Sequence, residues 1–158
     1  MKEITLADVV AQVESSDNPD AIRYEPIVHS RFKNITPGTD NYYILENIMK
    51  YNNCNLQTAC VLASMSFGKY QIMGENLYGN MIDLKYGVID YLSDEEDQEI
   101  SFEVFVSKIG FYYGQIFYLM TDNDLLKFAT RYNGPGNPEA YVKAMKNVYI
   151  KLSMEGEK

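Results

Sequence analysis

Thr5 stands before a run in which Leu6, Val9, Val10 and Val13 recur at helical spacing, and Asp8 is placed to close a capping box on it. This pattern commits one face of the segment to burial and predicts a helix that ends near Glu14 to Ser16. Beyond it, Asp17-Asn18-Pro19-Asp20 is turn chemistry. Glu14 therefore stands at the end of a buried helix, where a carboxylate can be half-desolvated.

The same pattern returns along the chain. Tyr43, Ile44, Ile48 and Met49 predict core positions of a second helix over residues 40–52, and the apolar stretch from Leu56 to Met65 predicts a third, buried nearly all round. Residues 21–38, punctuated by Pro26 and Pro37-Gly38, read as irregular. Ser93 with Glu96 predicts a capping box opening a helix with Ile100, Val104, Phe105 and Ile109 inward. The run Asp94-Glu95-Glu96-Asp97 fits a solvated first turn favoured by the helix dipole better than a cation site. Thr121 caps a helix through Asp124 to Ala129, and Pro138 opens a last one toward Leu152. With no repeats or linkers, residues 1–158 read as one mainly α domain.

Composition narrows the function. The net charge of −8 leaves no basic stripe for nucleic acid and no general attraction to an anionic cell wall, so any action there needs a specific groove. Cys54 and Cys60, six apart in a helical region, are poorly placed to bridge each other and read as free thiols from a reducing compartment. With those two and a single His there is no zinc pattern, so no metal and no cofactor are expected. No signal peptide is expected at the N-terminus, and no segment approaches the ~20 apolar residues of a membrane span. Fourteen Tyr could stack on sugars, but they serve equally as core-edge residues.

Two further segments carry candidate chemistry. In Ser66-Phe67-Gly68-Lys69-Tyr70-Gln71-Ile72-Met73-Gly74, the glycines at 68 and 74 allow close backbone approach. Gln71 offers a donor and an acceptor to sugar hydroxyl or acetamido groups, and Tyr70 can lie against a sugar face. The other reading is a tight turn after a core helix. Tyr132-Asn133-Gly134-Pro135-Gly136 is a turn by composition, and its Tyr could line a groove or close the core. Glu14, for its part, fits the protonated acid that cleavage of a glycosidic bond requires, or an ordinary helix-end carboxylate.

Glu14-Ser15-Ser16 through Asn18-Pro19 to Ala21 resembles the opening motif of the lytic transglycosylase and goose-type lysozyme superfamily. The Ser66–Gly74 segment resembles its Ser-x-Gly-Leu-x-Gln-Ile motif, and Tyr132-Asn133-Gly134 its Tyr-Asn motif. The likeness is greatest to the N-acetylmuramidase family of phage endolysins, whose C-terminal signature is similar to Phe128-Ala129, Tyr132 to Gly136 and on to Tyr141. Arg23-Tyr24-Glu25-Pro26 resembles an aromatic-Glu segment of these enzymes. The resemblance covers nearly the whole chain. It departs where the family often has Glu-Ser-Gly-Gly and this chain has Glu14-Ser15-Ser16-Asp17, and where Lys69 and Tyr70 replace commoner apolar residues. No separate wall-binding domain is expected.

The resemblance implies a lysozyme-like, mainly α fold with at most a very small β element. It implies a muramidase that cleaves peptidoglycan between N-acetylmuramic acid and N-acetylglucosamine. In it, Glu14 is the general acid/base, and Ser66, Gly68, Tyr70, Gln71, Tyr132 and Asn133 hold substrate. Glu25, Asp17 and Asp20 are candidates for a second carboxylate, Glu25 first. An inverting enzyme needs it ~6.5–9.5 Å from the acid and a retaining one ~5–5.5 Å. Without one, the substrate's 6-hydroxyl could attack, giving a lytic transglycosylase. A catalytically weak virion protein that binds peptidoglycan and an intracellular interaction domain are the rivals. The expected partner is a peptidoglycan glycan strand, with no nucleic acid or membrane, acted on by a monomer. The expected route is synthesis in the host cytoplasm and action at the cell wall, in the periplasm, after release.

Overall fold

The computed structural model describes residues 3–155. Its elements are α1 (Leu6–Ser15), β1 (Ile22–Tyr24), α2 (Pro26–Phe32), α3 (Tyr42–Asn52), α4 (Leu56–Ala63), β2 (Met65–Phe67) and β3 (Ile72–Met73). There follow α5 (Gly74–Tyr78), α6 (Val88–Ser93), α7 (Glu95–Lys108), a 3-10 turn (Phe117–Leu119), α8 (Asp122–Tyr132) and α9 (Pro138–Glu155). The fold is mainly α with a small antiparallel sheet of order β1-β2-β3, as expected. Among the described residues no helix is long and apolar enough to cross a membrane. The chain divides into two compact units, one formed by Met1–Asp17 with Phe102–Lys158 and the other by Asn18–Ser101.

In the first unit, α1 begins as expected. Thr5 and Asp8 form a reciprocal capping box, with the Thr5 amide donating to Asp8 Oδ2 at 2.8 Å and the Asp8 amide to Thr5 Oγ1 at 3.2 Å. The next two orphan amides, of Leu6 and Ala7, donate to the carbonyls of Gln115 and Tyr113, so the helix start is tied to the 113–115 loop. Leu6, Val9 and Val10 are fully buried, and α9 packs against both α1 and α8. Thr121 and Asp124 repeat the capping box at α8.

In the second unit, α3, α4 and α5 pack on one another and α2 packs on α4. Leu45, Ile48, Ala59, Ala63, Leu77 and Tyr78 have no exposed surface. The sheet pairs Arg23 with Ser66 and Ser66 with Met73, so Ser66 lies on the central strand.

Four expectations are corrected. Residues 21–38 hold β1 and α2, because β1 finds its hydrogen bonds in a strand more than forty positions on and Pro26 occupies a helix start, where a missing N–H costs nothing. The segment from Leu56 to Met65 is not helical throughout. α4 stops at Ala63 and Met65 enters β2, and Leu56, Gln57 and Thr58 are exposed because the first turn overhangs the core. Ser93 closes α6 rather than opening α7, and Asp94 Oδ1 accepts from the amides of Glu96 and Asp97 in its place. Ile100 is exposed, and Val104 in α7 and Ile109 just after it are only half-buried. Gln98, Ser101, Phe102, Phe105 and Val106 form the buried face, which is turned from the one the apolar spacing suggested.

Candidate active site

Glu14 occupies the last turn of α1, half-buried. The helix ends on two consecutive residues with left-handed backbone, Ser16 at φ 56° and Asp17 at φ 61°. The Ser16 amide returns to Gln12 O at 3.2 Å and the Asp17 amide to Ala11 O at 3.0 Å, a six-to-one closure of the Schellman kind. These are the two positions at which the family resemblance leads one to expect Gly-Gly. Glycine takes φ > 0 without steric cost, whereas Ser pays for contact between its Cβ and the backbone and Asp tolerates it better.

The Tyr141 hydroxyl, from a side chain only 8 % exposed, donates to Glu14 Oε1 at 2.6 Å. Tyr141 reaches it from the first turn of α9. The preceding turn places it there: Gly134 takes φ 86°, Asn137 Oδ1 accepts from the Ala140 amide, and Pro138 opens the helix. Tyr132, at the end of α8, stacks on Phe128 (centroids 5.1 Å, planes 15° apart) and meets Phe102 and Phe105 edge-on. Its ring lies 6.4 Å from that of Tyr141. So Tyr132 supports the tyrosine that holds Glu14, while Asn133 caps α8 and is exposed.

In the second unit the Ser66–Gly74 segment is the β2–β3 hairpin. Gln71 has a positive φ of 50° and a side chain turned back on its own turn. Its amide donates to Gly68 O at 2.9 Å and to Ala21 O at 3.0 Å, and its Oε1 accepts from Ser66 Oγ at 2.8 Å. Both N–H donors are thereby used within the protein. Gly68 (φ 75°) approaches another side chain rather than open space: a Cβ there would lie 2.3 Å from Gln98 Oε1. Gln98, fully buried, accepts from the Lys69 amide at 2.9 Å and donates to Pro19 O at 3.1 Å. A Cβ on Gly74 would lie 2.0 Å from Leu62 O, so this glycine lets α5 start against α4. Tyr70 is 5 % exposed, and the buried Lys69 ammonium meets Glu99 Oε1 at 3.0 Å and Glu95 Oε2 at 3.5 Å.

Glu25 pairs with Arg23, its Oε1 accepting from Nε at 2.7 Å, and its amide donates to Ser64 O. Asp20 is exposed, its amide folded onto Asn18 Oδ1 in a local turn. Among the described residues no group of three or more His, Cys, Asp or Glu could hold a metal ion.

The structure thus joins Glu14 to Tyr141 and Tyr132 in one unit, and Ser66, Gly68 and Gln71 to one another in the other. Tyr141 and Gln98 were missed as members of these networks. Tyr141 closes the C-terminal signature and so left a trace in the sequence, whereas Gln98 left none.

A family profile described as N-acetylmuramidase matches residues 4–153. The chain is 35 % identical over 133 residues to a protein named Endolysin from Enterobacteria phage PRD1, a match that covers 84 % of this chain and 87 % of the phage protein. No solved structure matches it. A match running from the capped start of α1 to the end of α9, with its ordered motifs on two internally bonded networks, shows that the chain belongs to the N-acetylmuramidase family of peptidoglycan-cleaving glycosidases.

Proposed function

We propose that the protein is an endolysin that cleaves the β-1,4 bond between N-acetylmuramic acid and N-acetylglucosamine, with Glu14 as general acid/base. The Glu14–Tyr141 hydrogen bond carries this reading. A protonated Glu14 would give its proton to the glycosidic oxygen. The carboxylate then left behind accepts a stronger, charge-assisted bond from the Tyr141 hydroxyl, so the contact gains strength as the proton departs. In the second half-reaction the carboxylate would take a proton from the attacking hydroxyl. Tyr132 would hold Tyr141 in place, and exposed Asn133 is free in position to meet the glycan.

Gln71 and Ser66 serve this function by fixing the hairpin, since their polar groups bond to each other. Glu25 is the carboxylate proposed for a second role: as nucleophile it would leave Glu14 to be the base of the second half-reaction, whereas as the base that activates water it would leave Glu14 the acid alone, in a single displacement. Its pairing with Arg23 supports the other outcome as well: a carboxylate already engaged leaves the substrate's 6-hydroxyl to attack, giving a 1,6-anhydro product. Residue 14 serves both routes. In this reading the protein acts at the bacterial cell wall.

Mass analysis of products from purified peptidoglycan separates the two. Ordinary reducing ends mean hydrolysis, and ends one water lighter mean transglycosylation. Release of no muropeptide by the wild type would contradict both and favour a binding role.

A further inference from the structure

A groove between α2 and α4 encloses about 370 Å³, and none of its lining residues has a role in the site described above. His29 on α2 and Lys33, which caps the end of α2 in helical backbone, line it, and four-residue spacing puts them on one face. Leu56, Gln57, Cys60 and Val61 line it from one face of α4. Phe32, 2 % exposed, anchors α2, and its carbonyl accepts weakly from Cys60 Sγ at 3.6 Å. Burial pushes the Cys60 thiol up from its ordinary value, so it forms an apolar floor and not a nucleophile.

The charge of the groove runs against that of the chain. The sequence has 22 Asp and Glu against 14 Lys and Arg, yet no lining residue is acidic and Lys33 brings a positive charge. Arg31 is spent on Glu75 at 2.9 Å, but among the described residues no ion pair engages Lys33. His29 is held by the Tyr24 hydroxyl at Nδ1, with the rings edge to face at 5.6 Å. With Nδ1 accepting, the ring hydrogen is on Nε2, which can then donate.

We propose that this groove binds the carboxylate-bearing peptide attached to the peptidoglycan glycan strand. Lys33 and His29 take a carboxylate, while Leu56 and Val61 take the aliphatic side chains. The proposal rests on peptidoglycan being the substrate. The volume suits a ligand of several residues, of the ~300–1,000 Å³ class, and an inorganic anion would leave the apolar wall uncovered. A bare glycan would leave the Lys33 cation unpaired.

The test titrates the wild-type protein with the peptide freed from peptidoglycan by an amidase, followed by amide NMR, beside inorganic phosphate. Rates are measured on intact peptidoglycan and on peptide-stripped glycan strands. The peptide is expected to perturb residues 29–33 and 56–61. Lys33→Gln is expected to weaken it by about five-fold, the scale of one part-exposed ion pair, and to raise KM on intact peptidoglycan while leaving stripped strands cut at the wild-type rate. Equal peptide binding by wild type and Lys33→Gln, perturbation confined to other residues, or phosphate binding as tightly as peptide would overturn the proposal. A wild type that cuts neither substrate would count against the muramidase reading, and the peptide titration would still decide this one.

Discussion

The hydroxyl of Tyr141 and the carboxylate of Glu14 meet at 2.6 Å across 127 positions of sequence. Tyr141→Phe keeps the ring packed but removes the donor. It should lower kcat by about ten-fold, the equivalent of one hydrogen bond of ~1.4 kcal/mol made in the transition state, and leave KM nearly unchanged. Steady-state kinetics on purified peptidoglycan check this, since a merely structural tyrosine would alter stability without separating kcat from KM.

Left-handed backbone at Ser16 should make this chain less stable than a glycine-bearing relative. Ser16→Gly is expected to stabilise it by about 0.5–1 kcal/mol, relief of Cβ strain outweighing the entropy glycine adds to the unfolded chain. Ser15→Gly, one residue earlier and within α1, should instead cost about 0.5–1 kcal/mol. Thermal denaturation of the pair measures both signs. Equal effects would remove the backbone argument.

Gln71→Ala distinguishes a hairpin staple from a sugar contact. Its amide satisfies the carbonyls of Ala21 and Gly68 and the hydroxyl of Ser66. The backbone amides of Gly68 and Gln71 still reach those two carbonyls, and Ser66 Oγ still reaches Arg23 O, so the variant loses three side-chain bonds without orphaning a group. That loss should cost about 1–3 kcal/mol, or roughly 2–10 °C in Tm for a chain of this size. An unchanged Tm with a raised KM would mean that Gln71 acts on the substrate directly.

At the start of α8, hydrogen bonds from the Thr121 side chain and backbone hold the exposed Asp124 carboxyl below its ordinary value of 3.8. A depressed carboxylate pKa contributes stability that is fully present above the unfolded value and is lost as pH falls through the folded one. Asp124→Asn should therefore destabilise the protein near neutral pH, and its difference from the wild type should shrink as pH falls below 3.8. Melting temperatures across pH 2–7 test the convergence.

How far the sequence discloses this structure depends on the range of the interaction that decides each feature. Thr5 with Asp8 and Thr121 with Asp124 are three residues apart, so both helix starts are legible from local chemistry. At Asp94 the same reading slips by one residue, because Ser93 and Asp94 are both competent caps and only the end of α6 chooses between them. β1 is invisible in the sequence because Ile22–Tyr24 is only three residues long and exposed throughout, and becomes a strand only by pairing with Met65–Phe67. The glycines at 68 and 74 were legible as close approaches, but not as approaches to Gln98 and Leu62. In the same way, Glu14 could be singled out from motif order, whereas its contact with Tyr141 is a product of the fold.

The central claim is that Glu14 is the group that moves the proton. Glu14→Gln is the direct probe, because the amide oxygen still accepts from Tyr141 and the helix end is undisturbed. Muropeptide release from purified peptidoglycan should fall by at least about 100-fold, the lower end of what a positioned acid supplies, with the melting temperature held. Release at the wild-type rate by a folded Glu14→Gln protein would contradict the account.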